Sequence, residues 1–165
     1  MTLDSALPPG VLAAGTGEIT DVGGYQTRYL LDAGATSGRF SLMELLLPPR
    51  VMAAPLHRHS REDDIAYVTR GRIGALLGDV EVEAGPGDLI VRPRGQWHTF
   101  WNAGDEPAGT LEMTSPGGLE QMFREMEALG HDVDPEVFVE LAARYGCDLD
   151  LEGTDVLVQR HGLVF

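Results

Sequence analysis

Two stretches decide the fold of this chain: HRHSREDD at residues 57–64 and PRGQWHTFWN at residues 93–102. Side chains two residues apart on a β-strand point to the same side, so His57 and His59 can converge on one ion if their stretch is extended. A helix is a poor alternative, because prolines precede the pair and no 3.6-residue apolar period follows it. Together with Asp64 and His98, the pair predicts a metal site.

The bulk composition bounds what the protein can be. A chain of 165 residues, 43% of them hydrophobic, has room for one domain with a sizeable core. The formal net charge is −14, and the twelve basic residues are scattered arginines with no lysine. A phosphate-binding surface needs clustered positive charge, so we expect no nucleic-acid partner.

Two further features bear on the compartment and on redox chemistry. The first residues lack a basic segment followed by an apolar one, and no apolar run approaches the roughly 20 residues of a membrane helix. We therefore expect a soluble, cytoplasmic protein with no membrane partner. Cys147 is the only cysteine, which excludes an intramolecular disulfide and a thiolate metal cluster. We predict only a packing role for it.

The chain divides into three parts that we assign to one domain. Residues 1–17 have little periodicity and predict an N-terminal arm. Residues 18–115 contain short apolar or alternating runs bounded by turn residues, which is typical of an antiparallel barrel or jelly roll. The predicted strands are 25–31, 40–47, 65–69, 73–77, 80–82, 89–91, 97–101 and 110–113.

Residues 116–165 predict a helical extension and a tail. Apolar residues recur at steps of three and four from Leu119 until Gly130 stops the pattern, which indicates an amphipathic helix. A second helix follows, with Asp134 as its cap and Pro135 in its first turn. We expect the apolar tail after it to dock on the barrel or on a second subunit.

Both histidine stretches resemble the two sequence motifs of the cupin superfamily. The first motif, G(x)5HxH(x)3-4E(x)6G, is matched up to Gly71 with an acid, Asp64, in place of its glutamate, and apart from its leading glycine, which is Val51 here. From Gly87 to Asn102 the chain matches the second, G(x)5PxG(x)2H(x)3N, at every fixed position. The resemblance covers about residues 40–114. It implies an all-β fold, a cupin (jelly-roll) β-barrel, here with two C-terminal α-helices packed outside.

The resemblance also implies a ligand set. His57, His59, Asp64 and His98 would hold one divalent first-row transition metal per subunit. Imidazole nitrogens and a carboxylate suit such an ion but do not name it, so iron, manganese, nickel, cobalt and zinc all stay open.

Asp64 departs from the family pattern, which usually has glutamate at this position. Aspartate is shorter by one methylene, about 1.5 Å of reach. Three interpretations follow: Asp64 ligates the metal after a small backbone shift, it acts beside the metal as a general base, or three histidines and water hold the ion. We expect the nearby Glu62 and Asp63 to be solvated acids of the connecting turn. His131 and His161 lie outside both motifs, and we leave them out of the site.

Strand alternation also suggests residues for substrate contact. Phe100 should face inward with His98, while the neighbouring tryptophans face outward against helices or a partner subunit. Ala66 and Val68 share the face of Asp64. We therefore predict Phe100, Ala66 and Val68 as walls of a substrate pocket.

Within the superfamily, the chain resembles bacterial monocupins similar to quercetin 2,4-dioxygenase. The shared features are the lead-in Leu47-Pro48-Pro49, the form His-x-His-Ser-x-Glu-Asp-acid, and a C-terminal extension containing LAARYG at residues 141–146. This resemblance implies a dioxygenase acting on a flavonol or a related polyphenolic or enol small molecule. The three histidines would anchor the metal, and Asp64 would take the proton of the metal-bound substrate.

Two other functions stay open at this point. One is a zinc-dependent polyketide cyclase or isomerase of natural-product biosynthesis, in which the ion acts as a Lewis acid and Asp64 moves protons. The other is a non-catalytic cupin that binds a small molecule. The expected partners are a small aromatic or enol substrate and, for the oxidative reaction, dioxygen. Because cupins commonly pair through their sheets, we also expect a homodimer.

Overall fold

A computed structural model describes residues 10–130 and 133–165. Eleven strands and three helices are present in these residues. In chain order the elements are β1 (Ile19–Val22), β2 (Tyr25–Leu31), β3 (Ser41–Leu47), β4 (Leu56–His59), β5 (Asp63–Arg70), β6 (Ile73–Leu77), β7 (Val80–Ala84), β8 (Leu89–Arg92), β9 (His98–Asn102), β10 (Ala108–Ser115), α1 (Glu120–Leu129), α2 (Pro135–Arg144), β11 (Cys147–Asp150) and α3 (Leu151–His161).

The strands form two antiparallel sheets. One has six strands in the order β1-β2-β3-β10-β5-β8, and the other has five in the order β11-β4-β9-β6-β7. The main core lies where inward side chains of the two sheets meet, and it includes Leu45, Leu47, Val68, Ile73 and Phe100. This arrangement confirms the predicted jelly-roll β-barrel with helices at the C-terminal end.

The two predicted helices begin and end close to where the sequence places them. The Asp134 side chain accepts a hydrogen bond from the backbone N–H of Glu136, and Pro135 occupies the first turn of α2. Gly130 follows the last residue of α1 with a φ of 84°. Both helices pack with Cys147 of β11 in a small apolar cluster that contains Met122 and Leu141.

The C-terminal residues differ from the predicted tail, because they form a strand and a third helix. β11 pairs antiparallel with β4 and so extends the five-stranded sheet. Asp150 then caps α3 by accepting from the backbone N–H of Gly153, and Gly162 ends the helix in the left-handed region. Leu157 of α3 and Leu163 pack on Trp101 of the barrel, so this segment does dock on the barrel.

Trp101 also determines which residue can stand beside it on β6. Gly74 is its partner in the β6–β9 ladder, and a Cβ placed on Gly74 would lie 2.5 Å from two atoms of the indole ring. The Trp101 ring can therefore pack against β6 only because Gly74 has no side chain.

We expect Gly74→Ala to reduce the free energy of unfolding by about 1–3 kcal/mol, because the buried indole and α3 would have to shift. Urea denaturation measures the change. Gly34→Ala is the matched control, since Gly34 has no atom within 4 Å of its Cβ position. Equal stability of the two variants would show that the Trp101 packing adapts without cost.

Among the described residues, no helix has both the length and the apolar character needed to cross a membrane.

Candidate metal centre

Three strands bring the predicted ligands together. His57 and His59 lie two residues apart on β4, and both side chains are buried, as the alternation rule predicts. His57 is paired with His98 of β9 in the strand ladder. Asp64 comes from β5 of the facing sheet. The site therefore lies between the two sheets, and residues of both sheets are needed to form it.

The four side chains form one compact group of potential ligand atoms. Each offers one nitrogen or oxygen, and these atoms all lie within 4.8 Å of one another. The Nε2 atom of His59 is 3.1 Å from Nε2 of His57 and 3.0 Å from Oδ2 of Asp64. Nε2 of His98 lies 3.7 Å from the same Asp64 oxygen. Two ligands bound to one ion at about 2.1 Å are separated by about 3.0–3.4 Å at right-angled or tetrahedral positions. The 3.0 and 3.1 Å spacings fit a shared cation directly, and the 3.7 Å spacing corresponds to a wider angle at the ion.

The other nitrogen of each ring is held by the protein. Nδ1 of His57 is 2.7 Å from the carbonyl oxygen of Pro55, and Nδ1 of His98 is 2.9 Å from that of Gln96. Nδ1 of His59 is 3.1 Å from Sγ of Cys147. An N–H at Nδ1 of His57 and of His98 donates to the carbonyl oxygen beside it, which leaves Nε2 of these two rings bare. All three contacts fix the ring orientations for metal binding.

Burial and mutual contacts shift the pKa values of the four side chains. Burial lowers the pKa of His57 well below its ordinary value, and the neighbouring His98 and His59 lower it further. Burial also lowers the pKa of His98. At His59 burial is outweighed by hydrogen bonds to Asp64 and Cys147, which raise the pKa to about 10. Burial would raise the pKa of Asp64, but the hydrogen bond with His59, the nearby His98 ring and the Arg92 guanidinium hold it well below its usual range.

These protonation states meet the requirement of a metal site in three of the four groups. The carboxylate is charged, and two of the imidazoles are neutral at physiological pH. A metal ion has to displace a proton only from His59. Within the described part of the chain, the buried atoms Nε2 of His98 and Oδ1 of Asp64 have no hydrogen-bond partner. Unsatisfied buried polar atoms of this kind fit a site for a first-row divalent ion.

A cavity of about 650 Å³ opens at the ligand group. His57, His59 and Asp64 line its base, and its walls are mostly apolar. The wall residues include Met43, Leu45, Phe100, Met122, Phe123 and Phe138. This volume suits a small organic ligand. Helices α1 and α2, which were predicted only to pack on the barrel, thus also supply walls of the cavity.

The predicted pocket residues are not all in the same place. Phe100 lines the cavity, as expected for its inward orientation. Ala66 and Val68 are fully buried in the barrel core and are not among the cavity-lining residues that the structure describes. Their side chains share the strand face of Asp64 but lie further along β5.

Sequence reasoning missed one acid next to the ligands. Glu62 was expected to be a solvated residue of the turn, and that prediction is wrong, since Glu62 is only 6% exposed. Its Oε2 atom lies 3.9 Å from Nδ1 of His59, and burial raises the pKa of the carboxyl group. Period two places Glu62 on the side of Asp64, which was the available signal. Asp63 points outward as expected and forms an ion pair with Arg94.

The remaining histidines have other places. His161 is 3.2 Å from a Glu81 carboxylate oxygen and its ring lies 4.7 Å from that of Trp101, so it belongs to the contact between α3 and the barrel. His131 lies outside the described residues.

Cys147 was predicted only to pack in the core, but its thiol also contacts the His59 ring. Its pairing position in the β11–β4 ladder is opposite His59, which explains the Sγ–Nδ1 contact.

We expect Cys147→Ala to weaken divalent-metal affinity by about tenfold, because partners that orient a ligating imidazole typically contribute 10–100-fold to affinity. Cys147→Ser keeps a polar group at this position and should retain most of the affinity. Competition with a chromogenic chelator measures both values. Unchanged affinity in the alanine variant would show that Glu62 or water orients His59 equally well.

Comparison with known proteins supports the fold. A family model described as cupin domain matches residues 43–114. The structure of KdgF from Halomonas sp. superposes with a TM-score of 0.60 at 19% identity, over 69% of this chain and 99% of that one. A Cupin 2 conserved barrel domain protein from Salinispora arenicola gives a TM-score of 0.54 at 14% identity, over 83% and 98%. At such identities the likeness concerns the fold alone.

One similar structure has higher identity. It is a sugar phosphate isomerase of the cupin superfamily from Silicibacter pomeroyi, with 30% identity and a TM-score of 0.51. The match covers 56% of this chain and 59% of that chain, so the two proteins share a barrel segment and differ in the rest. Among curated proteins, none matches this chain.

Proposed function

We propose that this chain, whose residues 43–114 match the cupin domain model, is a metal-dependent enzyme acting on an enolic or phenolic aromatic small molecule. The reaction we favour is a dioxygenase reaction similar to that of the quercetinase-like cupins. The observation that carries the proposal is the group of His57, His59, Asp64 and His98, of which the first three line a mostly apolar cavity of about 650 Å³.

Three Nε2 atoms and Oδ2 of Asp64 would hold the ion. When bound, a divalent metal lowers the pKa of a coordinated hydroxyl group and polarises its oxygen. The donor set of three imidazoles and one carboxylate suits iron, manganese, nickel, cobalt or zinc. The protein's own contribution is to fix the ring orientations through Pro55, Gln96 and Cys147 and to surround the site with apolar walls.

Asp64 can serve both of the roles that the sequence left open. Its Oδ2 atom lies 3.0 Å from Nε2 of His59 and 3.7 Å from Nε2 of His98. Its buried Oδ1 atom has no hydrogen-bond partner among the described residues. In our proposal Oδ2 completes the ligand group, and Oδ1 accepts the proton of the substrate hydroxyl group. A carboxylate within hydrogen-bond reach of the reacting oxygen is what general-base catalysis requires.

The cavity walls favour an aromatic substrate over a sugar phosphate. Methionine, leucine and phenylalanine side chains dominate the wall, and they suit a flat apolar ring system. A phosphate group would need an uncompensated cation. Arg92 is the only arginine among the described lining residues, and Glu112 already neutralises it.

An isomerase or cyclase without net oxidation is the second candidate. Its support is the 30% identity with a structure described as a sugar phosphate isomerase. With zinc in the site, the same residues could move a proton between carbon and oxygen, with Asp64 as the acceptor. A cupin that binds its ligand without turnover is the third candidate.

Oxygen uptake separates these functions. The purified protein is stripped of metal and reconstituted separately with iron(II), manganese, nickel, cobalt or zinc, and then mixed with quercetin or 3-hydroxyflavone. We expect oxygen consumption equal to flavonol loss with at least one redox-active metal and none with zinc. If no metal supports oxygen uptake, the dioxygenase proposal fails. Deuterium uptake from D₂O into a keto substrate by the zinc form would then favour the isomerase, and its absence the binding protein.

We further propose a cytoplasmic homodimer. Strand β8 is at the end of the six-stranded sheet, and its Leu89 and Val91 side chains are more than half exposed. An open sheet edge with exposed apolar residues suits pairing with a second copy. The buried free thiol of Cys147 suits a reducing compartment. Sedimentation equilibrium tests the dimer, and we expect twice the mass of the 17.8 kDa chain.

A further inference from the structure

The cavity contains a buried ion pair that the proposed reaction does not use. The Arg92 guanidinium donates a short hydrogen bond to Oε2 of Glu112, and the two residues are 2% and 4% exposed. Both residues line the same cavity as the ligand group. They form a charged pair in a wall that is otherwise mostly apolar.

Strand pairing places this ion pair beside the ligand group. Arg92 of β8 is the ladder partner of Asp64, and Glu112 of β10 is the partner of Ala66, two residues further along β5. Arg92 thus stands level with Asp64, and Glu112 stands level with Ala66 on the other side of β5. The guanidinium carbon is 4.6 Å from the centre of the Phe100 ring, so Phe100 connects the pair with the aromatic part of the wall.

The hydrogen bonding of the pair is incomplete. Within residues 10–130 and 133–165, the buried atoms Nε of Arg92 and Oε1 of Glu112 have no hydrogen-bond partner. A half-satisfied polar pair in an apolar interior is often no more stable than an apolar replacement of similar shape. Stability of the fold therefore does not account for these two residues. One remaining atom is a donor and the other is an acceptor, and both residues line the cavity.

The chemistry of the missing partner follows from these atoms. Nε–H of Arg92 requires an acceptor, and the Oε1 atom of Glu112 requires a donor. The pair carries no net charge, so a carboxylate or phosphate would gain little from Arg92 and would be repelled by Glu112. A hydroxyl group can accept and donate at once. Because the Phe100 ring lies beside the pair, a hydroxyl group carried on an aromatic ring meets all of these conditions.

We propose that Arg92 and Glu112 form a recognition site for a phenolic hydroxyl group of the ligand, separate from the oxygen that the metal would bind. The inference deepens the proposed function and rests on it for the identity of the full substrate. It selects, among enolic aromatic compounds, those that carry a further hydroxyl group on the ring that enters the barrel. Arg92 and Glu112 would be specificity residues, since they contact the ligand away from the reacting atoms.

The test uses simple probes on metal-free protein, so its outcome is independent of turnover. Phenol, toluene and benzoate are titrated in turn, and the Arg92 Nε–H signal is followed by two-dimensional NMR. We expect phenol to shift this signal and to bind at least as tightly as toluene, even though a hydroxyl group loses more hydration than a methyl group. Benzoate should bind more weakly than phenol.

Variants test the same point from the protein side. The double variant Arg92→Met/Glu112→Leu removes the pair and fills its space with apolar groups, a kind of exchange that buried ion pairs often tolerate. In it we expect the ratio of the toluene Kd to the phenol Kd to fall at least tenfold. The exposed ion pair of Arg160 and Glu81 supplies the control, because Arg160→Gln/Glu81→Gln should leave the ratio unchanged.

Several results would overturn the inference. They are an unchanged Arg92 signal with phenol at about 10 mM, benzoate binding more tightly than phenol, or equal probe ratios in the wild-type protein and the double variant. If the double variant does not fold, Glu112→Gln takes its place. Loss of oxygen uptake with intact phenol recognition would reject the proposed reaction and leave this site standing.

Discussion

Protein in which His57 and His98 are both replaced by alanine will purify without a bound divalent ion, whereas the wild-type protein will retain one ion per chain. The double exchange removes two of the four atoms that lie within 4.8 Å of one another. We expect metal affinity to fall by more than about a thousandfold, since the loss of even an orienting partner costs 10–100-fold. Elemental analysis of the purified protein measures the metal content directly.

Thermal unfolding gives an independent reading of the same prediction. An ion that binds the folded state stabilises it by mass action, by about 4 kcal/mol at a thousand times the Kd. A chelator should therefore lower the Tm of the wild-type protein and leave that of the double variant unchanged. His161→Ala is the control, because His161 packs partly exposed against Trp101 and is not one of the four ligand residues. Equal metal content in the wild-type protein and the double variant would reject the metal site altogether.

The ligand group could be predicted from sequence because its geometry depends on local rules. Two-residue alternation alone brings His57 and His59 to the same side of β4. The second motif fixes where His98 lies on β9, opposite His57. The reach of Asp64 could not be judged in the same way. Its distance from His59 depends on how the two sheets face each other, and that spacing is set by the whole core.

The residues around the ligands were harder to predict because they depend on long-range pairing. β11 exists as a strand only because it pairs with β4, and this pairing brings Cys147 opposite His59. α3 was missed because Gly153 in its first turn and its weak apolar stripe resemble an irregular tail. Arg92 and Glu112 are twenty residues apart in sequence and meet on either side of β5. The sequence around Arg92 gives no sign that Glu112 is its partner, and the sequence around Glu112 gives no sign of Arg92.

Asp64→Asn should retain the fold and lose turnover, with a decrease in kcat/KM of about 10²–10⁴-fold, the usual contribution of a general base. The amide has nearly the shape of the carboxylate, but it carries no charge and cannot accept a proton at neutral pH. Oxygen uptake, or the exchange assay if the isomerase proposal holds, measures the loss. Asp63→Asn is the matched control, because Asp63 is the adjacent acid and pairs with Arg94 at the surface. It should have wild-type activity.

Asp64→Glu separates the role of the charge from the role of the length. Oδ2 of Asp64 already lies 3.0 Å from Nε2 of His59 in a site where Asp64 is 6% exposed. A carboxylate longer by about 1.5 Å must therefore turn away from the histidines or push them apart. We expect the glutamate variant to bind metal and to turn over at least about tenfold more slowly, since a small misplacement of a reacting group has a large kinetic cost. A faster glutamate variant would contradict this expectation and would indicate an enzyme that has drifted from the glutamate of the family pattern.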